Sequence, residues 1–447
     1  MSLNPEVFKA YDIRGIYPSD LDEEGAYAIG RAYVEKFEPK KIAVGRDMRT
    51  HAPSMAEAVI EGACDGGANV VDIGMVGTEM LYFAVGSLKL DGGITVTASH
   101  NPKEYSGMKI VRRGAQPVGG NSGLTEIRDR AKAGFKPTSS RGNTEKFDIY
   151  PSWETHVISF IKPESIKPLR VVFDAANGMG GRMIEPLFRY LPIEKINCFF
   201  EPDGTFPNHD PNPLLPKNRD FLVKKVRAEN ADLGIAFDGD ADRCFFIDNT
   251  GEFVPGDFIT ALLANSVLQK EPGATIIYDA RASWSVPETV ESNGGVPLIN
   301  RVGHAFIKQR MRETNAAFAG EVSGHYYFRD FFQADSGIIP ALLILELISE
   351  QQNSLAEILA PMRQKYFLTG ELNTRVNDIA LKLQEVKEKF GSAGEVTHLD
   401  GISITSSNWH MNLRPSNTEP LLRLNLEARS KKLMEQKCEE VLAILES

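Results

Sequence analysis

Short apolar runs that end in polar turns recur along the chain at the scale of a domain. Three of these runs begin at Ile42, Val171 and Ile276, and each is followed by a loop and a stretch with helical character. Apolar runs of four to eight residues bounded by turn residues are typical of buried strands. Strands that alternate with helices build parallel βα units. The pattern therefore predicts three related α/β domains.

Changes in composition between these runs predict the domain boundaries. Residues 131–147 are rich in Gly, Ser, Thr and Lys, which is typical of a linker. Beyond Phe367 the pattern changes, because residues 401–405 and 421–426 alternate like half-exposed strands and residues 433–445 carry a helical apolar stripe. We therefore predict α/β domains at residues 1–149, 150–254 and 255–367, and a smaller α+β domain at residues 368–447.

Charge and hydropathy exclude several classes of partner. The 447 residues carry a formal net charge of −10, which argues against a nucleic-acid or anionic-membrane partner. The most apolar stretch, residues 338–348, is interrupted by Pro340 and Glu346 and falls short of the roughly 20 residues that span a bilayer. It predicts a core helix. No signal peptide is visible at the start of the sequence, and we expect a cytoplasmic protein.

The cysteines suggest neither a zinc site nor a disulfide framework. They are far apart and form no C-x-x-C pair: Cys64, Cys198, Cys244 and Cys438. Reduced thiols in a cytoplasmic protein are the expected state.

Three carboxylates alternate along the segment Asp238-Gly-Asp-Ala-Asp-Arg243, directly after an apolar run. Crowded carboxylates repel one another, and a bound cation relieves that repulsion. Oxygen ligands alone favour Mg²⁺ over Zn²⁺. A Ca²⁺ EF-hand loop fits poorly, because Arg243 stands where that loop needs Gly and Asn249 where it needs Glu. A solvated acidic turn is the remaining alternative.

A second polar turn, Thr97-Ala-Ser-His-Asn-Pro102, follows a strand-like run that ends at Val96. Ser99 is a candidate for an exposed nucleophile. The serine-hydrolase elbow does not fit, because Thr97 and Asn101 occupy its glycine places. Taken alone, the segment fits an ordinary polar turn equally well. Phosphoryl transfer to a serine beside a metal ion is the alternative that connects this turn with the three aspartates.

The two segments together resemble the motifs of the α-D-phosphohexomutase superfamily. Three further segments resemble its N-terminal, sugar-recognition and phosphate-binding motifs, in family order: Phe8-Lys-Ala-Tyr-Asp-Ile-Arg-Gly15, Gly320-Glu-Val-Ser-Gly-His325 and Arg414-Pro-Ser-Asn-Thr-Glu-Pro420. Within the superfamily, residues 278–284 and 303–308 are most similar to bacterial phosphomannomutases of GDP-mannose synthesis. The resemblance implies three similar mixed α/β domains and a smaller C-terminal α+β domain around a central cleft.

The resemblance also implies a role for each matching residue. Ser99 would carry the phosphoryl group, and Mg²⁺ would be held by that residue with Asp238, Asp240 and Asp242. The transferring group would be surrounded by Arg14, His100 and Lys109. The sugar phosphate would be bound by Tyr11, Arg243, His304, Glu321, Ser323, Arg414, Ser416, Asn417 and Thr418. Arg281 stands where some relatives carry Lys, so any sugar contact there stays open.

The residue types suit these roles. Mg²⁺, Arg and Lys stabilise the charge that a phosphoryl transition state spreads over its oxygens. An Arg fork with hydroxyls and loop amides suits a phosphate dianion. Glu321 only accepts hydrogen bonds, which suits a pair of vicinal hydroxyls. The imidazole of His325 is a candidate general base, with simple packing of its loop as the alternative.

The implied reaction interconverts mannose 6-phosphate and mannose 1-phosphate through a hexose 1,6-bisphosphate that acts as intermediate and activator. Phosphoglucomutase activity or dual specificity is an alternative, since mannose and glucose differ only at C2 and nothing in the sequence visibly recognises C2. A metal-dependent phosphatase and a non-catalytic sugar-phosphate sensor are alternatives from other classes. Retention of the bisphosphate would argue against the first, and the intact Ser99 and aspartates argue against the second. The sequence gives no oligomeric state.

Overall fold

The computed structural model describes residues 4–138, 140–416 and 421–447. The chain divides into two compact units. The first contains the chain up to Val254 together with Met311–Glu313 and Ser323–Leu355, and the second contains Pro255–Arg310, Thr314–Val322 and Ala356–Ser447. Among the described residues, no helix combines the length and the apolar character that crossing a membrane requires.

The first sheet lies in the first unit. Its strands are β1 (Ile13–Ile16), β2 (Lys41–Arg46), β3 (Asn69–Met75), β4 (Gly92–Val96), β5 (Tyr105–Arg112), β6 (Gln116–Pro117) and β7 (Thr144–Lys146). They lie in the order β1-β5-β4-β2-β3-β7, with β6 beside β5. The strands β4, β2, β3 and β7 are parallel, whereas β5 is antiparallel to β4 and to β1.

Two helices of the first domain pack closely because glycines line their contact. The helices of this domain are α1 (Glu23–Phe37), α2 (Ala52–Asp65), α3 (Thr78–Ser87) and α4 (Leu124–Ala133). A Cβ atom on Gly62 of α2 would lie only 2.1 Å from the Tyr27 carbonyl oxygen of α1. Glycine is therefore required where these two helices meet.

The predicted linker at residues 131–147 is only partly irregular. Helix α4 continues to Ala133, and β7 adds an edge strand beside β3. The prediction was wrong at both ends of the segment. The strand β7 consists of exposed polar residues, so it carries none of the apolar alternation by which strands are recognised.

The second sheet also lies in the first unit. The elements are α5 (Tyr150–Ile158), β8 (Leu169–Asp174), α6 (Gly180–Ile184), β9 (Ile193–Cys198), α7 (Pro216–Glu229), β10 (Leu233–Phe237), β11 (Cys244–Asp248) and β12 (Phe253–Val254). The strand order is β12-β11-β10-β8-β9. The strands β9, β8 and β10 are parallel, and β11 returns antiparallel to β10.

The third domain contributes to both units. The elements that begin in the second unit are α8 (Gly256–Lys270), β13 (Thr275–Asp279), α9 (Ser285–Ser292), β14 (Val296–Asn300), α10 (His304–Thr314) and β15 (Phe318–Gly320). The first unit holds the antiparallel pair β16 (Tyr326–Phe328) and β17 (Ala334–Asp335), and α11 (Ile338–Gln351). Residues 338–349 of α11 are buried, which confirms the core helix predicted for 338–348.

The C-terminal part of the second unit is an antiparallel sheet with helices. Its elements are α12 (Leu355–Lys365), β18 (Phe367–Arg375), α13 (Ile379–Phe390), β19 (Glu395–Thr397), β20 (Ile402–Thr405), β21 (Trp409–Pro415), β22 (Leu421–Ala428) and α14 (Lys431–Leu445). The strand order is β18-β22-β21-β20-β19. On α14, Val441 and Leu445 are buried in the core of this domain and Met434 packs against it, as the helical stripe predicted.

The same strand arrangement occurs three times. In each α/β domain one strand lies between two parallel neighbours: β2 between β3 and β4, β8 between β9 and β10, and β13 between β14 and β15. This repetition confirms the predicted fold class of three similar α/β domains followed by an α+β domain. The three sequence motifs at residues 97–102, 238–243 and 321–325 follow β4, β10 and β15, so each motif begins at the carboxyl end of the corresponding strand. Ligands of open α/β sheets bind at such strand ends.

Candidate functional site

The loop between β10 and β11 brings its three carboxylates together. One oxygen from each of Asp238, Asp240 and Asp242 lies within 4.8 Å of the others, and all three side chains are buried. Ala241 adopts a left-handed conformation with φ of 57° and turns the chain back toward β11. None of the described residues donates a hydrogen bond to the buried Oδ1 of Asp240. Clustered, buried and incompletely satisfied carboxylate oxygens fit a hard divalent cation such as Mg²⁺.

Two cationic side chains already compensate part of this negative charge. The Nζ of Lys109, on β5, lies 2.7 Å from Asp240 Oδ2 and 2.5 Å from Asp242 Oδ2. Arg243 Nε donates to Asp238 Oδ2 at 2.8 Å. Burial raises the pKa of Asp238 to about 7, and the charges of Asp242 and Asp240 act in the same direction while Arg243 opposes them. The loop therefore holds more negative charge than its buried surroundings readily accept.

Ser99 lies directly beside this loop. Its Oγ donates to Asp238 Oδ2 at 3.0 Å and lies 3.1 Å from His100 Nδ1. The residue has a φ of 50° and is only 2% exposed. The expectation of an exposed nucleophile was wrong, because the aspartate loop packs over it: a Cβ atom on Gly239 would lie 2.4 Å from the Ser99 carbonyl oxygen.

Arg14 and His100 complete the surroundings of Ser99. Arg14, on β1, is held by Asp12 at 2.8 Å and donates to the side-chain oxygen of Asn101 within the serine loop. Burial lowers the pKa of His100 well below its usual range, and the charges of Arg243, Arg14 and Lys109 add to that effect. The ring is therefore neutral near pH 7. Tyr11 is half-buried just before β1.

His325 approaches the aspartate loop within the first unit. Its Nε2 lies 3.6 Å from Asp242 Oδ1 and 3.9 Å from Asp335 Oδ2, and its Nδ1 lies 3.1 Å from Ser323 Oγ. The structure thus places His325 close to the aspartates and Ser323 against the His325 ring, where a base could exchange a proton near the predicted transferring group. Asp335, on the two-residue strand β17, carried no signal in the sequence.

A second set of predicted site residues lies in the second unit. Glu321 follows β15, and its Oε1 accepts a hydrogen bond from the Gly303 amide at 2.9 Å, next to His304 at the start of α10. Arg281 Nη2 lies 3.9 Å from the same oxygen and donates to Asp279 at 2.8 Å. The structure therefore brings Glu321 and Arg281 together and places His304 beside them in sequence.

Three guanidinium groups converge on one carboxylate in the same unit. Glu371, on β18, accepts from Arg414 Nη2 at 3.0 Å and from Arg423 Nη1 at 3.1 Å, and Arg281 Nη1 lies at 3.5 Å. Burial opposes the ionisation of Glu371, but the charges of Arg281, Arg414 and Arg423 hold its pKa down at about 2. Arg281 is already paired with Asp279, so the excess positive charge over Glu371 comes from Arg414 and Arg423, and such an excess suits an anion such as phosphate. Sequence reasoning missed Glu371, since no motif marks it.

Of the predicted phosphate loop, only the first part can be placed. Ser416 Oγ accepts from Arg423 Nη2 at 3.3 Å, and the Ser416 amide donates to the Leu421 carbonyl at 2.8 Å. The predicted ligands Asn417 and Thr418 lie outside the described residues.

Thr78 is a second contact that sequence reasoning missed. At the start of α3, its hydroxyl donates to Asp240 Oδ2 at 2.5 Å and its amide donates to the Asp240 carbonyl at 3.1 Å. A helix of the first domain therefore fixes one of the clustered aspartates of the second. A threonine at a helix start was the only available signal, and such residues are common as caps.

Comparison with known proteins identifies the family of the chain. Models of phosphoglucomutase/phosphomannomutase domains match it in order: α/β/α domains I, II and III at residues 5–137, 152–251 and 255–366, and the C-terminal domain at residues 371–444. A phosphomannomutase of Vibrio cholerae is 45% identical over 452 residues, and one of Salmonella typhimurium is 44% identical over 448 residues. Each alignment covers 98% of both chains.

A solved structure agrees with these sequence matches. A phosphoglucomutase/phosphomannomutase family protein from Burkholderia thailandensis superimposes with a TM-score of 0.91 at 32% identity, covering 99% of this chain and 97% of the other. The domain boundaries at 149, 254 and 367 and the roles of individual residues stay predictions. Identity of this extent over nearly the whole chain, with every domain matched in order, shows that the chain belongs to the phosphoglucomutase/phosphomannomutase family of α-D-phosphohexomutases.

Proposed function

We propose that this enzyme interconverts mannose 6-phosphate and mannose 1-phosphate by way of a phosphoserine at Ser99 and a hexose 1,6-bisphosphate. The observation that carries the proposal is the position of Ser99 Oγ, 3.0 Å from Asp238 Oδ2 in a buried group of three aspartates. A serine oxygen beside a cation site is the arrangement that reversible phosphoryl transfer to serine requires. The alignments with two phosphomannomutases, at 44% and 45% identity over 98% of both chains, support mannose phosphate as the substrate.

Asp238, Asp240 and Asp242 would hold Mg²⁺, together with an oxygen on Ser99. The unsatisfied Oδ1 of Asp240 and the all-oxygen ligand set fit this ion. Bound there, Mg²⁺ supplies electrostatic stabilisation of the charge on the transferring phosphoryl group.

The chain's own cations support the same step. Lys109 and Arg14 lie on the adjacent strands β5 and β1, and Arg14 contacts the serine loop through Asn101. Their positive charges would stabilise the oxygens of the phosphoryl group as it leaves or joins Ser99 Oγ. His325 would accept the proton of the attacking sugar hydroxyl and return it to the leaving oxygen in the reverse step.

A mutase must also bind the phosphate that does not react. Of the guanidinium groups around Glu371, Arg414 and Arg423 would supply the positive charge for this, and Arg414 lies in the predicted phosphate motif. Glu321 would accept hydrogen bonds from sugar hydroxyls, as its acceptor-only chemistry allows. Hexose phosphates, rather than a nucleic acid or a membrane, are the proposed partners, and the cytoplasm is the proposed location.

Glucose phosphate is the second candidate substrate. The family models that match the chain are described for phosphoglucomutase and phosphomannomutase together. Dual specificity is therefore the alternative to a strict mannose preference.

A coupled assay tests both candidates. Mannose 1-phosphate and glucose 1-phosphate are compared as substrates with catalytic amounts of the matching 1,6-bisphosphate, and inorganic phosphate release is followed in parallel. We expect 6-phosphate formation to exceed phosphate release greatly, with a higher kcat/KM for mannose 1-phosphate. A higher kcat/KM for glucose 1-phosphate would reverse the assignment of the substrate. Phosphate release that matches substrate consumption would make the protein a phosphatase.

A further inference from the structure

One buried arginine donates hydrogen bonds to main-chain carbonyls of the loop that contains Ser99. Arg49 lies after β2 and is 1% exposed. Its Nη2 donates to the carbonyl oxygens of Ser99 and Asn101 at 3.0 and 2.6 Å. Its Nη1 donates to those of Pro102 and Tyr105 at 2.7 and 3.1 Å. The planar guanidinium, with donors in fixed directions, can satisfy several carbonyls at once in a way that a lysine ammonium cannot.

The loop needs such support because its conformation is unfavourable. Ser99 has a φ of 50°, a left-handed conformation that residues other than glycine rarely adopt. Such a residue persists only where its surroundings fix the main chain. In this conformation Ser99 Oγ donates to Asp238 Oδ2, so the predicted chemistry requires the turn to be kept.

Arg49 is itself held in place from two sides. Its Nε lies 3.3 Å from Asp47 Oδ2, and its amide donates to Asp47 Oδ1 at 2.9 Å. On the other side, its Cζ lies 5.2 Å from the centre of the Phe206 ring, and a Cβ atom on Gly204 would lie 2.6 Å from the Arg49 Cα. Phe206 and Gly204 belong to the domain that supplies the three aspartates. Arg49 therefore contacts both the serine loop and the domain that carries the aspartate loop.

We propose that Arg49 is a positioning residue for phosphoryl transfer, which fixes the main chain of residues 99–105 and thereby holds Ser99 Oγ against the three aspartates. The proposal rests on the proposed mutase function. Arg49 acts through the loop, because its contacts there are with carbonyl oxygens and not with the serine hydroxyl. A reacting oxygen that moves by about 1 Å can cost roughly 10²-fold in rate.

A loosened loop has a second chemical consequence. Phosphoserine that is no longer held in its closed surroundings is open to water. Attack of water oxygen on phosphorus breaks the bond between phosphorus and Ser99 Oγ and releases inorganic phosphate, while the serine oxygen takes up a proton. Loss of Arg49 should therefore raise phosphate release per turnover while it lowers turnover itself.

The test compares Arg49→Ala and Arg49→Lys with a matched control, Arg31→Ala. Arg31 is also a buried arginine of the first domain, but it donates to the Lys136 carbonyl and pairs with Glu35. Each variant is assayed for kcat, KM and phosphate release. Hydrogen exchange of the amides at residues 99–105 is measured by mass spectrometry without substrate, so this readout does not depend on mutase activity. Guanidinium chloride at millimolar concentration is added to test for rescue.

We expect both Arg49 variants to lose roughly 10²-fold in kcat while KM changes by less than about threefold, because the sugar contacts are untouched. Exchange at residues 99–105 should accelerate in both variants, and guanidinium should partly restore kcat of Arg49→Ala. Arg31→Ala should show none of these effects. Arg49→Lys retains most of the side-chain volume, so it serves the same test if Arg49→Ala does not fold.

Three results would overturn the proposal. They are a kcat of the Arg49 variants similar to that of Arg31→Ala, unchanged exchange at residues 99–105, and full activity of Arg49→Lys, which would show that charge alone suffices. If the wild-type protein shows no mutase activity, the proposed function fails, whereas faster exchange in the variants would still support the role of Arg49 in fixing the loop.

Discussion

The hydroxyl of Ser99 donates a 3.0 Å hydrogen bond to the carboxylate of Asp238, although 139 residues separate them in the chain. The two residues follow equivalent strands, β4 and β10, of two similar sheets. The proposed nucleophile of one domain and the proposed cation site of the next thus meet within one compact unit.

Substitution Ser99→Ala should lower turnover by several orders of magnitude without unfolding the protein. The hydroxyl is the proposed phosphoryl acceptor, and its removal deletes only one oxygen from a buried loop. Intact-mass spectrometry should find one labile phosphate on wild type and none on the variant, with matching circular dichroism spectra. Turnover of Ser99→Ala close to that of wild type would exclude the covalent route.

Removal of divalent cations should abolish activity, and Mg²⁺ should restore it. The oxygens of Asp238, Asp240 and Asp242 form a hard ligand set with one unsatisfied atom on Asp240. The measurement is turnover after EDTA treatment and titration with Mg²⁺, Mn²⁺ or Zn²⁺. Asp240→Asn should weaken the apparent affinity for Mg²⁺. Full activity in metal-free buffer would contradict the assignment, and a requirement for Zn²⁺ would show that the ligand set has been misinterpreted.

Substitution His325→Ala should lower kcat by roughly 10²–10⁴-fold, because the imidazole is the proposed general base. The effect on KM should be much smaller. The ring lies 3.6 Å from Asp242, beside the proposed cation site. The acidic limb of the pH–rate profile should flatten, because protonation of this base no longer limits the rate. Weakened binding with an unchanged kcat, or an unchanged acidic limb, would make His325 a binding or structural residue.

Glu427 should make the wild-type protein less stable as pH rises toward 8, and the substitution Glu427→Gln should remove this loss of stability. Glu427, on β22, accepts from Ser283 Oγ and the Trp284 amide at the start of α9. Burial raises its pKa to about 8, and Asp257 adds to this while Arg429 opposes it. A carboxyl whose pKa is raised on folding contributes full stability below its unfolded pKa of about 4.3, and that stability is lost as pH rises toward 8.

As pH rises from about 5 to 8, the free energy of unfolding of Glu427→Gln should therefore increase relative to that of wild type by up to about 1.4 kcal/mol for each pH unit. The difference in Tm should move in the same direction. Glutamine keeps a carbonyl oxygen that accepts from the Trp284 amide, and its Nε2 can donate to Ser283 Oγ, so the variant removes the charge while both contacts can persist. Thermal unfolding of both proteins at several pH values in this window measures the effect. A difference that does not depend on pH would show that Glu427 ionises normally in the folded protein.

The sequence determined the elements whose side-chain pattern is strong. The strands β2, β8 and β13, the core helix α11 and the stripe on α14 were predictable because they bury apolar residues with a clear spacing. The strand β9 was missed, since its alternation includes Glu194, Lys195 and Asn197 at the edge of its sheet. The sequence of an edge strand with exposed polar residues shows no apolar periodicity, so it cannot be distinguished from the sequence of a loop.

The sequence by itself also determined the family, because several short motifs occur in order, and it marked Ser99 and the three aspartates as candidates. Only the tertiary structure decided that Ser99 is buried beneath the aspartate loop, that Thr78 fixes Asp240, and that Arg49 holds four carbonyls of the serine loop. These contacts join residues from different elements, and main-chain acceptors leave no trace in side-chain identity. A sequence therefore indicates which groups react, whereas the folded chain determines which groups hold them in place.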